Sequence, residues 1–229
     1  MNWTTGTGGG GAIDLVIHLQ GIPFRDAVLW LYGTNTSTCV PNVCQHHRLT
    51  LPSKDDTKLL QVIRYLRDQR CLPQVLIDTL IQSGKLYADV KGNAVFVLLG
   101  KKMTVVGAEL RGTRGCRWRG MAPGSQKNKG CFYIIGPSPR KIVLCESAID
   151  AASCFVLHPE YTTVSTSGAV ADPEWLRHLI TKGYEIYCGF DRDKTGTMLA
   201  EKMMRLYPLI SRLQPPEHDW NETLQKSFI

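Results

Sequence analysis

Two short apolar runs, each ending on carboxylates, constrain this chain more than any other feature. The first is Lys141-Ile-Val-Leu-Cys-Glu146, and the second is Glu185-Ile-Tyr-Cys-Gly-Phe-Asp191-Arg-Asp193-Lys-Thr-Gly196. Each run has strand length and is followed by residues at helical spacing, the layout of parallel βαβ units in an α/β sheet. Working residues in such sheets sit at the carboxyl ends of the strands, so Glu146, Asp191 and Asp193 are expected at one crevice. Asp191 and Asp193 share a face if the strand continues through them. Asp150 follows Glu146 by one helical turn and is expected to lean back toward the same place.

Crowded carboxylates repel one another and would take up protons rather than stay charged. A hard divalent cation, Mg²⁺ or Mn²⁺, resolves the conflict because it accepts a few carboxylate oxygens and fills its shell with water and substrate phosphate. For either run alone, a helix-capping acid or a solvated Asp-Arg-Asp turn is the better account of the residues.

Glu146-x-x-x-Asp150 on a strand-to-helix turn, followed by Asp191-x-Asp193-x-x-Gly196 on a later one, resembles the Toprim domain. That domain is shared by bacterial primases, topoisomerases and a group of nucleases. The resemblance covers roughly 140–207. It implies an α/β fold whose C-terminal Toprim domain is Rossmann-like with a mainly parallel sheet, preceded by a helical region and a small basic α+β subdomain. It also implies catalytic roles for Glu146, Asp150, Asp191 and Asp193, with Glu146, Asp191 and Asp193 as metal ligands.

The chain has 229 residues, 43% of them hydrophobic, enough for a core and for one or two domains. Its net charge of +7 suits a polyanionic partner. No apolar run reaches membrane-spanning length and no signal-peptide pattern opens the chain, so a cytoplasmic protein without a membrane partner is expected. Eight cysteines are scattered, and Cys145, Cys154 and Cys188 fall inside expected strands or helices, which fits a reduced compartment. Cys39, Cys44, His46 and His47 offer four zinc donors, but so close together that a tetrahedral shell would be strained.

Along the chain, Gly6 to Gly11 matches G-x-G-x-x-G only by letter, because no strand precedes it. Ala12–Gln20, stopped by Gly21, and the residues after Pro23 read as two short helices. The pair resembles the end of a primase zinc module without its ligands, giving an expected helical remnant over 1–33. A Thr-, Asn- and Pro-containing linker is expected over 34–54, then a basic α+β subdomain over 55–136 and the Toprim domain over 140–229. Within the subdomain the spacing predicts a helix over about 55–70, a second around Leu76–Ile81, and strands over 86–90, 94–99 and 103–110. The bases on the first helix, Arg70 among them, read as a solvated surface.

Residues 111–130 are the most basic stretch, with Arg111, Arg114, Arg117, Arg119, Lys127 and Lys129 around Trp118. Such bases neutralise phosphates, and a Trp face stacks an unpaired base. Leu86-Tyr-Ala-Asp89, Gly107-Ala-Glu-Leu-Arg-Gly112 and Gly120-Met-Ala-Pro-Gly124 resemble a domain that accompanies Toprim in primase-like proteins of plasmids and other mobile elements. By that resemblance the six bases are candidates for template contact.

Farther on, the pattern predicts a strand over 162–166 and a helix opened by Asp172 as cap with Pro173 at its first position. A helix with Leu199, Met203 and Leu206 on its core face follows, and Asp219 reads either as an outer carboxylate or as a cap for the last helix.

The functional expectation is a DNA-directed, DnaG-type primase-like nucleotidyltransferase that makes short RNA primers on single-stranded DNA from nucleoside triphosphates. A helicase would be supplied in trans, because no helicase motif is present. The same acidic site also suits a Toprim nuclease, and a non-catalytic DNA-binding module is the third reading.

Overall fold

The computed structural model describes residues 11–33, 48–115 and 118–228. The chain divides into two compact units, 1–46 and 47–229. In the first, α1 (Ala12–Gln20) ends on Gly21, whose φ of 62° lets its N–H reach the Ile17 carbonyl. After it comes α2 (Phe24–Gly33), and the two helices pack together while burying Val16 and Ala27. The glycine run before Gly11, the four possible zinc donors at 39–47 and Arg117 lie outside the described residues.

The second unit is built on a nine-stranded sheet. A helical stretch precedes it: a 3-10 turn at Asp56–Lys58, α3 (Leu59–Arg64), a π-helical turn at Tyr65–Gln69, and α4 (Gln74–Gln82). Antiparallel strands follow as β1 (Leu86–Ala88), β2 (Ala94–Gly100), β3 (Val105–Arg111) and β4 (Arg119–Met121). Next come β5 (Gly130–Ile134), β6 (Ser138–Cys145), α5 (Ala148–Leu157), β7 (Tyr161–Ser165) and α6 (Glu174–Thr181). The chain closes with β8 (Glu185–Cys188), α7 (Lys194–Leu206), β9 (Ser211–Arg212) and α8 (Trp220–Lys226).

The strand order is β4-β3-β2-β5-β7-β6-β8-β9, with β1 also paired to β2. The pairs β7/β6, β6/β8 and β8/β9 are parallel, which makes the C-terminal half the expected mainly parallel α/β layer. β5 runs antiparallel to β7 on one side and to β2 on the other, joining the halves. That junction needs glycine at 130, where a Cβ would lie 2.4 Å from the Leu99 carbonyl oxygen.

Strand alternation sends successive side chains to opposite faces. Val143 and Cys145 join the core beneath α3, α4, α5 and α8, whereas Ile142 and Leu144 join the core under α6 and α7. The first of these cores takes residues from both sides of Gly136 to Pro139: Leu66, Ile77, Phe96 and Phe132 with Val143, Ala151 and Trp220.

Several local expectations are corrected. β4, β5 and β9 were not announced by the pattern; β4 exists because Glu109, Leu110 and Arg111 pair with Met121, Gly120 and Arg119. Residues 48–54 are not a free linker end, since Leu49 and Leu51 pack on a third small core and Lys54 bridges to Asp89. Asp172 does not cap α6; its carboxylate takes Arg177 (2.9 Å) and the Tyr207 hydroxyl, and Pro173 becomes the cap position. Leu206 is exposed, not on the core face of α7. β8 ends at Cys188, so Asp191 and Asp193 stand on a loop rather than on one face of a continuing strand.

Candidate active site

The carboxyl ends of β6 and β8 open into a cleft of about 610 Å³. Glu146 is the first residue beyond β6. Ser147 then caps α5, its hydroxyl accepting from the Asp150 N–H (3.3 Å) and donating to the Asp150 carboxylate (2.6 Å). This exchange turns the buried Asp150 back toward Glu146, as its spacing implied. Asp193 caps α7 by accepting from the Gly196 N–H (2.6 Å), and Asp219 caps α8 by accepting from the Glu222 N–H (2.6 Å). Three helix N-termini therefore point their positive ends at one acidic cluster, which lowers the cost of gathering it.

The loop carrying Asp191 is fixed from several directions. Its backbone N–H donates to Glu146 Oε1 (3.2 Å). The Arg212 guanidinium donates to the carbonyls of Cys188 (2.8 Å), Phe190 (2.7 Å) and Asp191 (3.2 Å). The Arg192 N–H donates to the His218 carbonyl (2.7 Å), which draws Asp219 to the same rim. Gly196 packs so closely that a Cβ there would lie 2.4 Å from the Asp191 carbonyl oxygen and 2.7 Å from Glu146 Oε1.

The electrostatics follow from this crowding. Burial first, then the charges of Asp150, Glu146, Asp219 and Asp193, pushes the Asp191 carboxyl up to about 9. Burial and Asp219 push Asp150 up to about 6. Glu146 is also raised, chiefly by burial, against the pull of the Asp191 N–H. Asp191 Oδ1 is buried and has no hydrogen-bond partner among the described residues. A buried, unsatisfied carboxylate oxygen facing four further acids fits a hard cation. Among the described residues no three His, Cys, Asp or Glu side chains are already arranged as a metal cage.

Basic side chains line the same cleft. Arg111 on β3 and Arg119 on β4 are directly paired across the strands and both line the cleft. Like charges placed opposite one another are unfavourable without an anion between them. Arg70 reaches the cleft from the helical stretch, its guanidinium donating to the Tyr65 hydroxyl (2.8 Å) and to Asn221 Oδ1 (3.2 Å). It is anchored there, contrary to its reading as a solvated base.

Of the other expected contacts, Arg114, Lys127 and Lys129 are exposed and outside the cleft lining. Lys127 Nζ donates to the Ser167 carbonyl (3.3 Å), and the half-exposed Trp118 ring lies against Gly120. Sequence reasoning assigned no role to Glu109, Arg70 or Arg212. The available signal for Glu109 was a charged residue directly after the apolar run Val105-Val-Gly-Ala within β3.

Residues 143–224 match the model of a family described as Toprim-like, and residues 64–137 match one described as a protein of unknown function (DUF3991). A "65 kDa protein" of Zymomonas mobilis is 27% identical over an alignment covering 95% of this chain, and the chain spans 42% of that relative's length. Among solved structures, the primase fragment of the bacteriophage T7 primase-helicase protein aligns with a TM-score of 0.55 and 20% identity, covering 70% of this chain and 69% of that one. The E. coli primase catalytic core aligns with a TM-score of 0.51 and 16% identity, over 73% and 69%. The RNA polymerase domain of Mycobacterium tuberculosis primase DnaG gives 0.52 and 14%, over 75% and 73%. At these identities the likeness is one of fold.

Proposed function

We propose that this chain, a Toprim-like domain on a fold shared with primase catalytic cores, is a primase-like nucleotidyltransferase that joins ribonucleotides into short primers on single-stranded DNA. The observation that carries the reading is one cleft lined both by Glu146, Asp150, Asp191, Asp193 and Asp219 and by Arg70, Arg111 and Arg119. Carboxylates alone suit many metal sites; arginines lining the same cleft select a substrate rich in phosphate.

Glu146, Asp191 and Asp193 would hold Mg²⁺ or Mn²⁺, with Asp150 and Asp219 beside them. When bound, the ion supplies Lewis-acid stabilisation of phosphate charge and makes an attacking hydroxyl more acidic. The arginines bind the phosphates of the incoming nucleoside triphosphate and of the template, and Asn221 and Tyr65 keep Arg70 oriented for that contact. Arg114, Trp118, Arg119, Lys127 and Lys129 would extend the path for the single strand. Among the described residues no helix is long and apolar enough to cross a membrane. A cytoplasmic role on plasmid or other mobile DNA, with a helicase supplied in trans, is part of the same reading.

The test is incubation with single-stranded DNA, ribonucleoside triphosphates and Mg²⁺ or Mn²⁺. Short oligoribonucleotides that depend on template support the proposal. Shortened input DNA with no new product assigns the site to cleavage instead.

A further inference from the structure

Glu109 stands on β3, in the segment matched to the family of unknown function, yet among the described residues its carboxylate accepts hydrogen bonds from the Toprim-like half. Its side chain is buried at the bottom of the cleft. Oε2 accepts from the backbone N–H of Ala148, the first residue of α5 (2.9 Å). Oε1 accepts from the hydroxyls of Ser165, at the end of β7, and Ser167 (2.8 Å to the latter).

These partners flank Glu146. Ala148 lies two residues after it. On the other side, the turn beyond β7 is bonded to its backbone, with the Gly168 N–H donating to the Glu146 carbonyl (2.7 Å). Ser167 holds a φ of 55°, a left-handed conformation that a non-glycine residue adopts at a cost and keeps when its surroundings hold it there. Here those surroundings are its hydroxyl bond to Glu109 and its N–H bond to the Ser165 hydroxyl (3.0 Å).

We infer that Glu109 is a positioning residue, clamping the α5 entry and the Ser165 to Gly168 turn together so that Glu146 and Asp150 meet a divalent cation in the right place. The inference rests on the metal-dependent reading above and gives the segment of unknown function a specific task in it. Arg111, two residues on along the same strand, shares the face of Glu109. One strand thus supports the acidic cluster and supplies part of the basic lining.

The experiment measures Mn²⁺ binding, single-stranded DNA binding and thermal unfolding for the wild-type chain, Glu109→Ala, Glu109→Gln and Ser167→Ala. Loss of a residue that orients metal ligands typically weakens metal binding about 10–100-fold. Glu109→Ala is expected to weaken Mn²⁺ binding in that range while DNA affinity changes less than about two-fold. Glu109→Gln, which keeps an acceptor for Ala148, recovers part of the loss, and Ser167→Ala shows a smaller one. Unchanged Mn²⁺ binding in a folded Glu109→Ala overturns the inference while leaving the metal-dependent reading intact. If that variant does not fold, unchanged binding in both Glu109→Gln and Ser167→Ala overturns it. A wild-type chain that binds no Mn²⁺ overturns the inference and the reading together.

Discussion

Glu146 Oε1 accepts a hydrogen bond from the backbone N–H of Asp191, 45 residues later, at 3.2 Å. The bond joins the ends of two neighbouring parallel strands, so the two acidic motifs form one constellation. It also leaves the Asp191 carboxylate facing the cleft with Oδ1 unsatisfied.

Asp191→Asn keeps the shape of the side chain and removes the charge most opposed by its surroundings. The variant should lose nucleotidyl transfer and bind Mn²⁺ at least about 10-fold more weakly, while the metal-free protein melts at the same or a higher temperature. Each kcal/mol of relieved repulsion would appear as roughly 2–4 °C in Tm for a chain of this size. A Tm drop of more than a few degrees would assign Asp191 to a structural network instead.

The metal-free chain should lose stability as pH rises. Asp191 is raised to about 9 and Asp150 to about 6, so the folded state holds protons that the unfolded chain releases near 4. The stability from those protons is complete below the unfolded value and is lost as pH climbs through the folded values, from about 4 to about 9. Melting curves across that window should fall with pH in chelator and flatten when Mg²⁺ is added. A metal-free curve that rises between pH 6 and 9 would contradict the assigned crowding.

Gly196→Ala places a methyl group where a Cβ meets the Asp191 carbonyl at 2.4 Å and Glu146 Oε1 at 2.7 Å. Because the carbonyl is backbone, the loop must shift, a cost of about 1–3 kcal/mol for overpacking. Activity should fall more than Tm alone explains, since the displaced atoms include Glu146, which we propose as a metal ligand. Wild-type activity in this variant would show that the loop tolerates the shift.

Arg212→Met should release the Asp191 loop by leaving the carbonyls of Cys188, Phe190 and Asp191 without the guanidinium. The Cys188 carbonyl keeps the Leu213 N–H (3.0 Å), so the loss falls on Phe190 and Asp191, and leaving such partly buried carbonyls unpaired costs roughly 1–3 kcal/mol. Denaturant melts should report a loss of that size with weakened Mn²⁺ binding, and Arg212→Lys should recover only part, because a single ammonium cannot span three acceptors in a planar fork.

Arg111→Ala and Arg119→Ala should each weaken single-stranded DNA binding and lower the slope of log affinity against log salt by about 0.7. Fluorescence titrations at several salt concentrations measure this. A slope unchanged in both variants would move the DNA path away from the cleft.

The apolar runs Ile142 to Cys145 and Ile186 to Cys188 were enough to place two parallel strands with acids beyond their carboxyl ends. Spacing also placed Asp150 one turn from Glu146, and Gly21 marked a helix stop. These are local matters of period and propensity, which a single stretch of chain expresses by itself. Only the tertiary structure brought Glu109 to Ala148, 39 residues away, and Arg70 to Asn221, 151 away. It likewise set Arg212 against the Asp191 loop and made Asp219 both a helix cap and a neighbour of the acidic cluster. Such partnerships depend on strand order and on which helix packs over which face, and a buried Glu or a cleft-facing Arg carries no periodic mark of its partner.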